Sequence, residues 1–543
     1  MSTLFTGIAL FVFSSTLSLF LKKRIEDMFA FSILGIIGIL YLSGLFGNLE
    51  IGFYSVIILF IFSFIYWLYL LTKNRTQAAA IIFTPGLFAF CIFEIIVLFG
   101  HQGRLFSSWD EFSHWGLVIK NMVTLNQLGN APNATTVFRG YPPAVSLFSY
   151  FWIKLSGFFN ESDAFRSSNI FLFCLFLPFF KNVHWKNWGR IIALIVTSLL
   201  LPSLFNTTSL TTIYVDILLG FFLAFILFQY FTGRNSRLDL FFLCISFLFF
   251  PLIKASGTGI GLIAILIIGL DIIFVQTQWD IKKKFFWIFS PVVSLFTGKY
   301  SWDIYLLLTK TKEAWNTNDV TVHNILQLIL GRGEEYQKST IISFFKGLID
   351  SSKYNYGGNI KISVLSWVVL FAILSICFIL LLNSKDQKQR FSLCLVSLHV
   401  GFCIYALSLL LLYVFTFSAY ESENLASFTR YLSTYLTGMY VFLIGLFFYY
   451  LPSKVLISKI NVCYILTFLI ILISNPSDIL SITLSSKSSI SSSIELRRNY
   501  SISEDALNQL DPSTDKVYIV SQNDSGFNYV VMYYNFTPVN ASS

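Results

Sequence analysis

Residues 51–72 read IGFYSVIILFIFSFIYWLYLLT and contain no charged side chain. A stretch of roughly 20 apolar residues is long enough to cross a bilayer as one helix. Similar stretches recur along the 543-residue chain and predict about 14 membrane-spanning helices. The predicted spans are 2–21, 28–46, 51–72, 78–99, 166–182, 189–205, 212–231, 238–252, 256–276, 284–298, 363–383, 391–417, 432–451 and 459–475.

The composition supports this assignment. The chain is 55% hydrophobic and 12% charged, with a mean hydropathy of +0.71, whereas a soluble domain carries about 25% charged residues. We therefore predict an all-α polytopic membrane protein. The net charge of +9 fits basic cytoplasmic loops and does not indicate a nucleic-acid partner. All seven cysteines lie in apolar stretches, so no disulfide or cysteine chemistry is expected.

Basic clusters predict the orientation of the spans, because cytoplasmic loops are enriched in Lys and Arg. With one crossing per span, every cluster falls on one side. This places both termini and the loops 100–165, 206–211, 299–362 and 418–431 on the extracytoplasmic face of the plasma membrane. The clusters are 22–24, 73–75, 181–190, 234–237, 282–284, 385–390 and 454–459.

Three regions follow from this topology. Residues 1–77 are additional N-terminal spans, 78–475 form the transmembrane core with a large first exterior loop, and 476–543 form a small exterior C-terminal appendage. Within the first loop, the apolar segment 141–159 is predicted to be an interfacial or half-inserted helix, with Pro142 and Pro143 in its first turn. In the appendage, 516–520 and 529–534 are predicted as strands around a turn at 523–526.

The stretch SSWDEFSHWG, residues 107–116, directly follows an apolar span. It opens a predicted helix, in which His114 lies three and four residues after Glu111 and Asp110 and can share a face with them. Carboxylates beside a membrane are costly and point to function. The alternative is a solvated loop in which tryptophans anchor the interface.

Further charged and aromatic residues lie at exterior span ends. A cation and a tyrosine occur in FRGYPP, a carboxylate in TTIYVDILLG, a cation in PLIKASGTG, and an Arg-Tyr pair before a later span. Each has a simpler explanation, either as a snorkelling interface anchor or as a helix cap. Their common side favours one polar cavity at membrane level. These residues are Arg139, Tyr141, Asp216, Lys254, Arg430 and Tyr431.

Such a cavity suits glycosyl transfer from a lipid-phosphate sugar. A carboxylate can deprotonate a hydroxyl nucleophile, and cations can hold a phosphate and stabilise its charge as it leaves. A position at the bilayer surface suits a donor with a lipid tail.

The order of these motifs resembles the GT-C superfamily of integral-membrane glycosyltransferases. Asp-Glu lies in the first large exterior loop, Tyr-Pro-Pro some thirty residues later, Tyr-x-Asp at a span start, then Lys-x-x-Gly and Arg-Tyr. The order is similar to that in dolichyl-phosphate-mannose protein mannosyltransferases and the lipid A aminoarabinose transferase. The resemblance covers about residues 78–451, and three spans precede it.

The resemblance implies a polyprenyl-phosphate sugar donor and inverting, direct displacement. It implies that Asp110 or Glu111 is the general base, or holds an acceptor or metal, and that Asp216 shapes the acceptor site. Arg139, Lys254 and Arg430 are then candidates for the donor phosphate, and Tyr141 and Tyr431 for the groove. His114 is a further candidate for substrate binding because it follows Asp110 and Glu111, although its neighbourhood, SHWG, is not a general feature of the family.

No residue is assigned to a metal. A divalent cation is the one cofactor left open, because Asp110, Glu111 and His114 could supply ligands. The expected acceptor is a cell-wall or capsular glycopolymer such as a teichoic acid. This expectation rests on the outward-facing site and on a Lys-, Ile-, Phe- and Asn-rich composition that resembles low-GC bacteria.

Two other classes compete with this interpretation. A transporter or flippase of lipid-linked glycan should show repeated halves with broken helices, and no such symmetry is visible in the sequence. A polysaccharide polymerase or ligase is expected to carry several arginines in a large exterior loop, but the loop 299–362 has only Arg332.

Overall fold

The protein is described by a computed structural model and is predominantly helical, with 75% helix and almost no strand. The description covers residues 2–73, 75–206, 208–311, 319–354, 361–451, 456–457, 460–474, 479–480, 482, 487–507, 509–512 and 514–542. Lys454 and Lys459 of one predicted basic cluster, and Asn74 of another, lie outside the described residues.

The structure consists mainly of α-helices. In chain order they are α1 (Ser2–Leu21), α2 (Phe29–Leu45), α3 (Leu49–Lys73), α4 (Arg75–Ile82), α5 (Pro85–Gly100), α6 (Gly116–Leu125), α7 (Ala144–Lys154), α8 (Glu161–Phe176), α9 (Trp188–Leu200), α10 (Asp216–Thr232), α11 (Arg237–Ile253), α12 (Gly257–Phe274), α13 (Ile281–Leu308), α14 (Val322–Ile329), α15 (Glu335–Ile349), α16 (Val364–Leu381), α17 (Lys385–Phe415), α18 (Ala419–Glu423), α19 (Phe428–Tyr450), α20 (Val462–Ile473), α21 (Lys487–Arg498), α22 (Ser501–Leu507) and α23 (Phe527–Phe536).

The remaining elements are short. A π-helix spans Glu111–Trp115, and 3-10 turns occupy Ile25–Asp27, Leu177–Asn182 and Leu201–Leu204. Strands β1 (Leu456–Ile457) and β2 (Ile460–Asn461) pair antiparallel, and β3 (Lys516–Tyr518) and β4 (Asn540–Ser542) pair parallel.

Each predicted span overlaps a helix among the described residues, and the span 78–99 is divided between α4 and α5. Among the described residues, 8 helical stretches are long and apolar enough to cross a membrane by length and composition, as expected of an all-α membrane protein. Shorter apolar helices cover Pro85–Gly100, Trp188–Leu204, Asp216–Thr232 and Val462–Ile473. The predicted number of crossings stays a prediction.

Loops that carry predicted cytoplasmic clusters meet at one end of the bundle. The Lys23 ammonium lies 2.6 Å from an Asp239 carboxylate oxygen. Arg24 donates a hydrogen bond to the carbonyl of Lys181 at 2.6 Å, and Lys181 pairs with Asp27 at 3.0 Å. These contacts join the α1–α2, α8–α9 and α10–α11 connections, in agreement with their predicted common side.

Helix α7 is present where Pro142 and Pro143 predict a helix start. It has 11 residues, about 16 Å of helix, which is too short to cross a hydrocarbon core of about 30 Å. Its side chains from Ala144 to Ile153 are buried, packed among α2, α6 and α8.

The predicted strand at 529–534 is wrong, because these residues lie in α23. Phe527, Val531 and Tyr534 are spaced by four and three residues, and Val531 and Tyr534 are buried. This spacing makes one helical face, and its packing outweighs the strand preference of the aromatic and β-branched side chains. The first predicted strand forms in part, as β3, and pairs with β4.

Helices α10 and α19 pack closely through small residues. A Cβ atom on Gly220 would lie 2.4 Å from the carbonyl oxygen of Thr434, and one on Gly438 would lie 3.0 Å from the carbonyl oxygen of Gly220. Small residues let helix backbones approach within a membrane. This contact sets the spacing of Asp216 and Arg430, which lie near the start of the two helices.

We expect Gly220→Ala to lower the free energy of unfolding by about 1–3 kcal/mol, because the added methyl group meets backbone atoms that cannot rotate away. Equilibrium denaturation in detergent measures this. Gly269→Ala is the matched control, since a Cβ atom there would have nothing within 4 Å. Equal stability of the two variants would contradict the close packing of α10 on α19.

Candidate functional site

Within the stretch 107–116, residues Glu111–Trp115 form a π-helix and not the start of a regular α-helix. The N–H of Gly116 bonds to the carbonyl oxygen of Glu111, five residues back. Such π-turns are rare and often occur at functional sites. The side chains of Asp110, Glu111 and His114 have three separate sets of partners, so the expected common face is not observed.

Glu111 is fully buried and holds two loops together. Its Oε2 atom accepts hydrogen bonds from the N–H groups of Ser107 and Ser108, both at 2.9 Å. Its Oε1 atom accepts one from the N–H of Ile213 at 3.3 Å. Burial raises the pKa of Glu111 to about 7, although the three N–H groups favour the charged form. This carboxylate is therefore placed to fix the backbone beside Asp110.

The raised pKa predicts a pH dependence of stability. Glu111 binds a proton more tightly in the folded chain than in the unfolded chain, where its pKa has the ordinary value of 4.5. Its contribution to the stability of the fold is therefore fully present below pH 4.5 and is lost as pH rises through about 7. The shift corresponds to about 3 kcal/mol. We expect the stability of wild type relative to Glu111→Gln to fall between pH 5 and pH 8, measured by denaturation in detergent. A pH-independent difference would contradict the raised pKa. Using the difference between variants removes the opposing titration of His114.

Two carboxylates and two cations form a chain of alternating charge. Arg430 pairs with Asp110 at 2.5 Å and its Nε atom lies 3.8 Å from Asp216. Lys254 pairs with Asp216 at 2.6 Å. Asp216 opens α10, Arg430 lies in the first turn of α19, and Lys254 directly follows α11. The side chain of Asp110 is 30% exposed and that of Asp216 is 4% exposed, so Asp110 is the carboxylate that a substrate can reach.

Aromatic rings surround the cations. The Arg430 guanidinium lies 4.9 Å from the ring centroid of Tyr214 and 5.3 Å from that of Tyr431. Lys254 lies 5.2 Å from the Tyr431 ring. The N–H of Asp110 donates to the hydroxyl of Tyr214 at 3.2 Å. Tyr214 is a site residue missing from the predicted set, although it stands in the same motif as Asp216.

His114 lies in an aromatic cluster beside these charges. It is buried, and its ring centroid lies 4.2 Å from that of Tyr141, 4.4 Å from Trp115 and 5.7 Å from Phe138. Burial, together with the positive charge of Lys254, lowers the pKa of His114 to about 3. The imidazole is therefore neutral at physiological pH and packs against the rings of Tyr141, Trp115 and Phe138.

Arg139 is engaged by its own loop. Its guanidinium donates hydrogen bonds to the carbonyls of Ala134 at 2.7 Å and Thr136 at 3.3 Å. It lies next to Phe138 of the aromatic cluster, but no ion pair joins it to the described carboxylates of the charged chain. The two cations that the structure brings to Asp216 are Lys254 and Arg430.

Within the described part of the chain, no three His, Cys, Asp or Glu side chains are grouped as metal ligands. Asp110 faces Arg430, Glu111 faces peptide N–H groups, and His114 faces aromatic rings. These three side chains therefore do not converge on a common point.

The fold and site define a predominantly helical protein with several long apolar helices and a chain of alternating charges at one end of them. Comparison with family models, with curated proteins and with solved structures gave no match to this chain.

Proposed function

We propose that the protein is a membrane glycosyltransferase of the GT-C type that moves a sugar from a polyprenyl-phosphate donor to an acceptor hydroxyl. The observation that carries this proposal is the chain Asp110–Arg430–Asp216–Lys254, which sets an accessible carboxylate beside two cations at the ends of apolar helices. Charged groups at such a position are typical of functional sites.

The reaction is an inverting displacement. The acceptor oxygen attacks the anomeric carbon and passes its proton to the Asp110 carboxylate. The bond between the anomeric carbon and the phosphate oxygen breaks, and polyprenyl phosphate leaves with the electron pair. Arg430 and Lys254 stabilise the charge on this leaving group.

The other residues support this step. Asp216 holds Lys254 at 2.6 Å and is itself screened from solvent. Glu111 fixes the backbone next to the base through its N–H contacts. Arg430 is shared between Asp110 and Asp216, so a donor phosphate competes with Asp110 for the guanidinium and frees the base as it binds.

The proposed acceptor is a cell-wall or capsular glycopolymer on the extracytoplasmic face of the plasma membrane. Two observations support this acceptor. The site and the basic loops lie at opposite ends of the helices, and the composition of the chain resembles that of low-GC bacteria. Labelled sugar that still enters the wall polymer at the normal rate in cells lacking this protein would contradict this acceptor.

The experiment that tests the function uses purified full-length protein, reconstituted in lipid nanodiscs for the release assay and in sealed lipid vesicles for a parallel transport assay. Polyprenyl-phosphate sugars are supplied with an acceptor glycan, and release of free polyprenyl phosphate is followed together with sugar incorporation. We expect both products in equal amounts. Movement of intact donor across a sealed vesicle membrane, with no lipid phosphate released, would identify a transporter instead.

A further inference from the structure

The described residues of the C-terminal segment, 487–507, 509–512 and 514–542, include helices that pack on the loop that carries Asp110. Its helices α21 and α23 meet at Glu161, the first residue of α8. Arg497 pairs with the Oε1 atom of Glu161 at 2.9 Å, and the hydroxyl of Tyr534 donates to the same atom at 2.8 Å. The Arg497 and Glu161 side chains are only 12% and 8% exposed. Two C-terminal helices thus bind one buried carboxylate that lies more than 300 residues earlier in the chain.

Glu161 in turn holds the backbone that leads to Asp110. Its Oε2 atom accepts a hydrogen bond from the N–H of Phe106 at 2.6 Å. The next two N–H groups, of Ser107 and Ser108, bond to Glu111. Consecutive peptide groups are therefore fixed by two buried glutamate side chains.

The same segment also contacts the residues that flank Asp110. The Arg497 guanidinium lies 5.5 Å from the ring centroid of Phe112, two residues after Asp110. The ring of Phe527, at the start of α23, lies 5.8 Å from that of Trp109, the residue before Asp110. The C-terminal segment therefore restrains the chain on both sides of Asp110.

We propose that Arg497 is a positioning residue, which acts through Glu161 to fix the backbone of 106–108 and so the position of the Asp110 carboxylate. This inference rests on the proposed function for its effect on catalysis. The contacts described for Arg497 are with Glu161, with Phe112 and with Asn535 of α23, so its removal should alter the rate of the chemical step more than donor binding.

The test compares Arg497→Ala with Arg498→Ala, which removes the same charge from the exposed neighbouring position. In the polyprenyl-phosphate release assay we expect kcat to fall roughly 10–100-fold in Arg497→Ala, with KM for the donor changed less than about twofold, because displacement of a reacting group by 1 Å has effects of this size. Arg498→Ala should match wild type. Arg497→Lys keeps the charge without the planar guanidinium and should recover part of kcat. A matching loss in both alanine variants, or a rise in KM alone, would overturn the proposal.

A second readout is independent of activity. Amide hydrogen exchange at residues 106–108 should accelerate at least about tenfold in Arg497→Ala and stay at the wild-type rate in Arg498→Ala. Unchanged exchange would overturn the positioning role even if the enzyme is active. Absence of lipid phosphate release by wild type, with exchange altered as expected, would overturn the proposed function alone. If Arg497→Ala does not fold, Tyr534→Phe removes one hydrogen bond to Glu161 and should show both effects more weakly.

Discussion

Asp110→Asn is expected to lower the rate of polyprenyl phosphate release by roughly 10²–10⁴-fold, the range usual for loss of a general base. The amide has nearly the same shape and can still accept the hydrogen bond from Arg430, but it cannot take the acceptor proton. Because the Asp110 side chain is 30% exposed, loss of its charge should change stability by less than about 1 kcal/mol. The loss of rate should therefore not come from unfolding.

Two variants sharpen this experiment. Asp350→Asn removes an exposed carboxylate that follows α15 and should leave the rate unchanged. Glu111→Gln should reduce the rate less than Asp110→Asn, because the Glu111 carboxylate faces peptide N–H groups and not solvent. The assignment of Asp110 as base fails if Asp110→Asn keeps at least a third of the wild-type rate, or if Glu111→Gln is the more damaged variant.

Lys254→Met is expected to lower the free energy of unfolding by about 3 kcal/mol, since removal of one partner leaves a buried charge with weaker compensation. Asp216 is 3% exposed and would retain only the Arg430 Nε atom at 3.8 Å as a cationic partner. Adding Asp216→Asn removes the second charge and should restore most of the lost stability. Both Lys254→Met and the double variant should be inactive, because the donor phosphate has lost one of its two cations.

This comparison separates folding from catalysis. Lys282→Met, at an exposed position near the start of α13, is the control and should change stability by less than about 0.5 kcal/mol. Equilibrium denaturation and the release assay are measured on the same preparations. Recovery of both stability and activity in the double variant would show that Lys254 acts only as a structural partner of Asp216.

Much of the helical architecture is predictable because the apolar stretches admit few alternatives. An apolar stretch such as 51–72 is unfavourable in water and long enough for a membrane-spanning helix, and these residues lie within α3. The segment 529–534 is different, because aromatic and β-branched side chains suit either a strand or a buried helix. In the helix, Tyr534 contacts Phe106 and Phe112, which lie more than 400 residues earlier in the chain and are not visible in the local sequence.

Asp110, Asp216, Lys254 and Arg430 could each be predicted from the sequence, because a cation or carboxylate at the end of an apolar span is conspicuous. The distinction between Asp110 and Glu111 could not be drawn, since it depends on the N–H of Ile213, 102 residues away. No local signal marks Arg497 either, because its partner Glu161 lies 336 residues earlier. Tyr214 could have been found from its place in the motif TTIYVDILLG.

The ion pair and the hydrogen bond at the opposite end of the bundle also bear on how the chain is made. Lys23 and Asp239 are 216 residues apart, and Arg24 and the Lys181 carbonyl are 157 residues apart. Synthesis proceeds from the N-terminus, so α1 and α2 leave the ribosome long before these partners exist. Lys23 and Asp27 therefore lack their partners Asp239 and Lys181 until α8 to α11 have been made, and we expect chains truncated before α8 to present these two charges to membrane quality control.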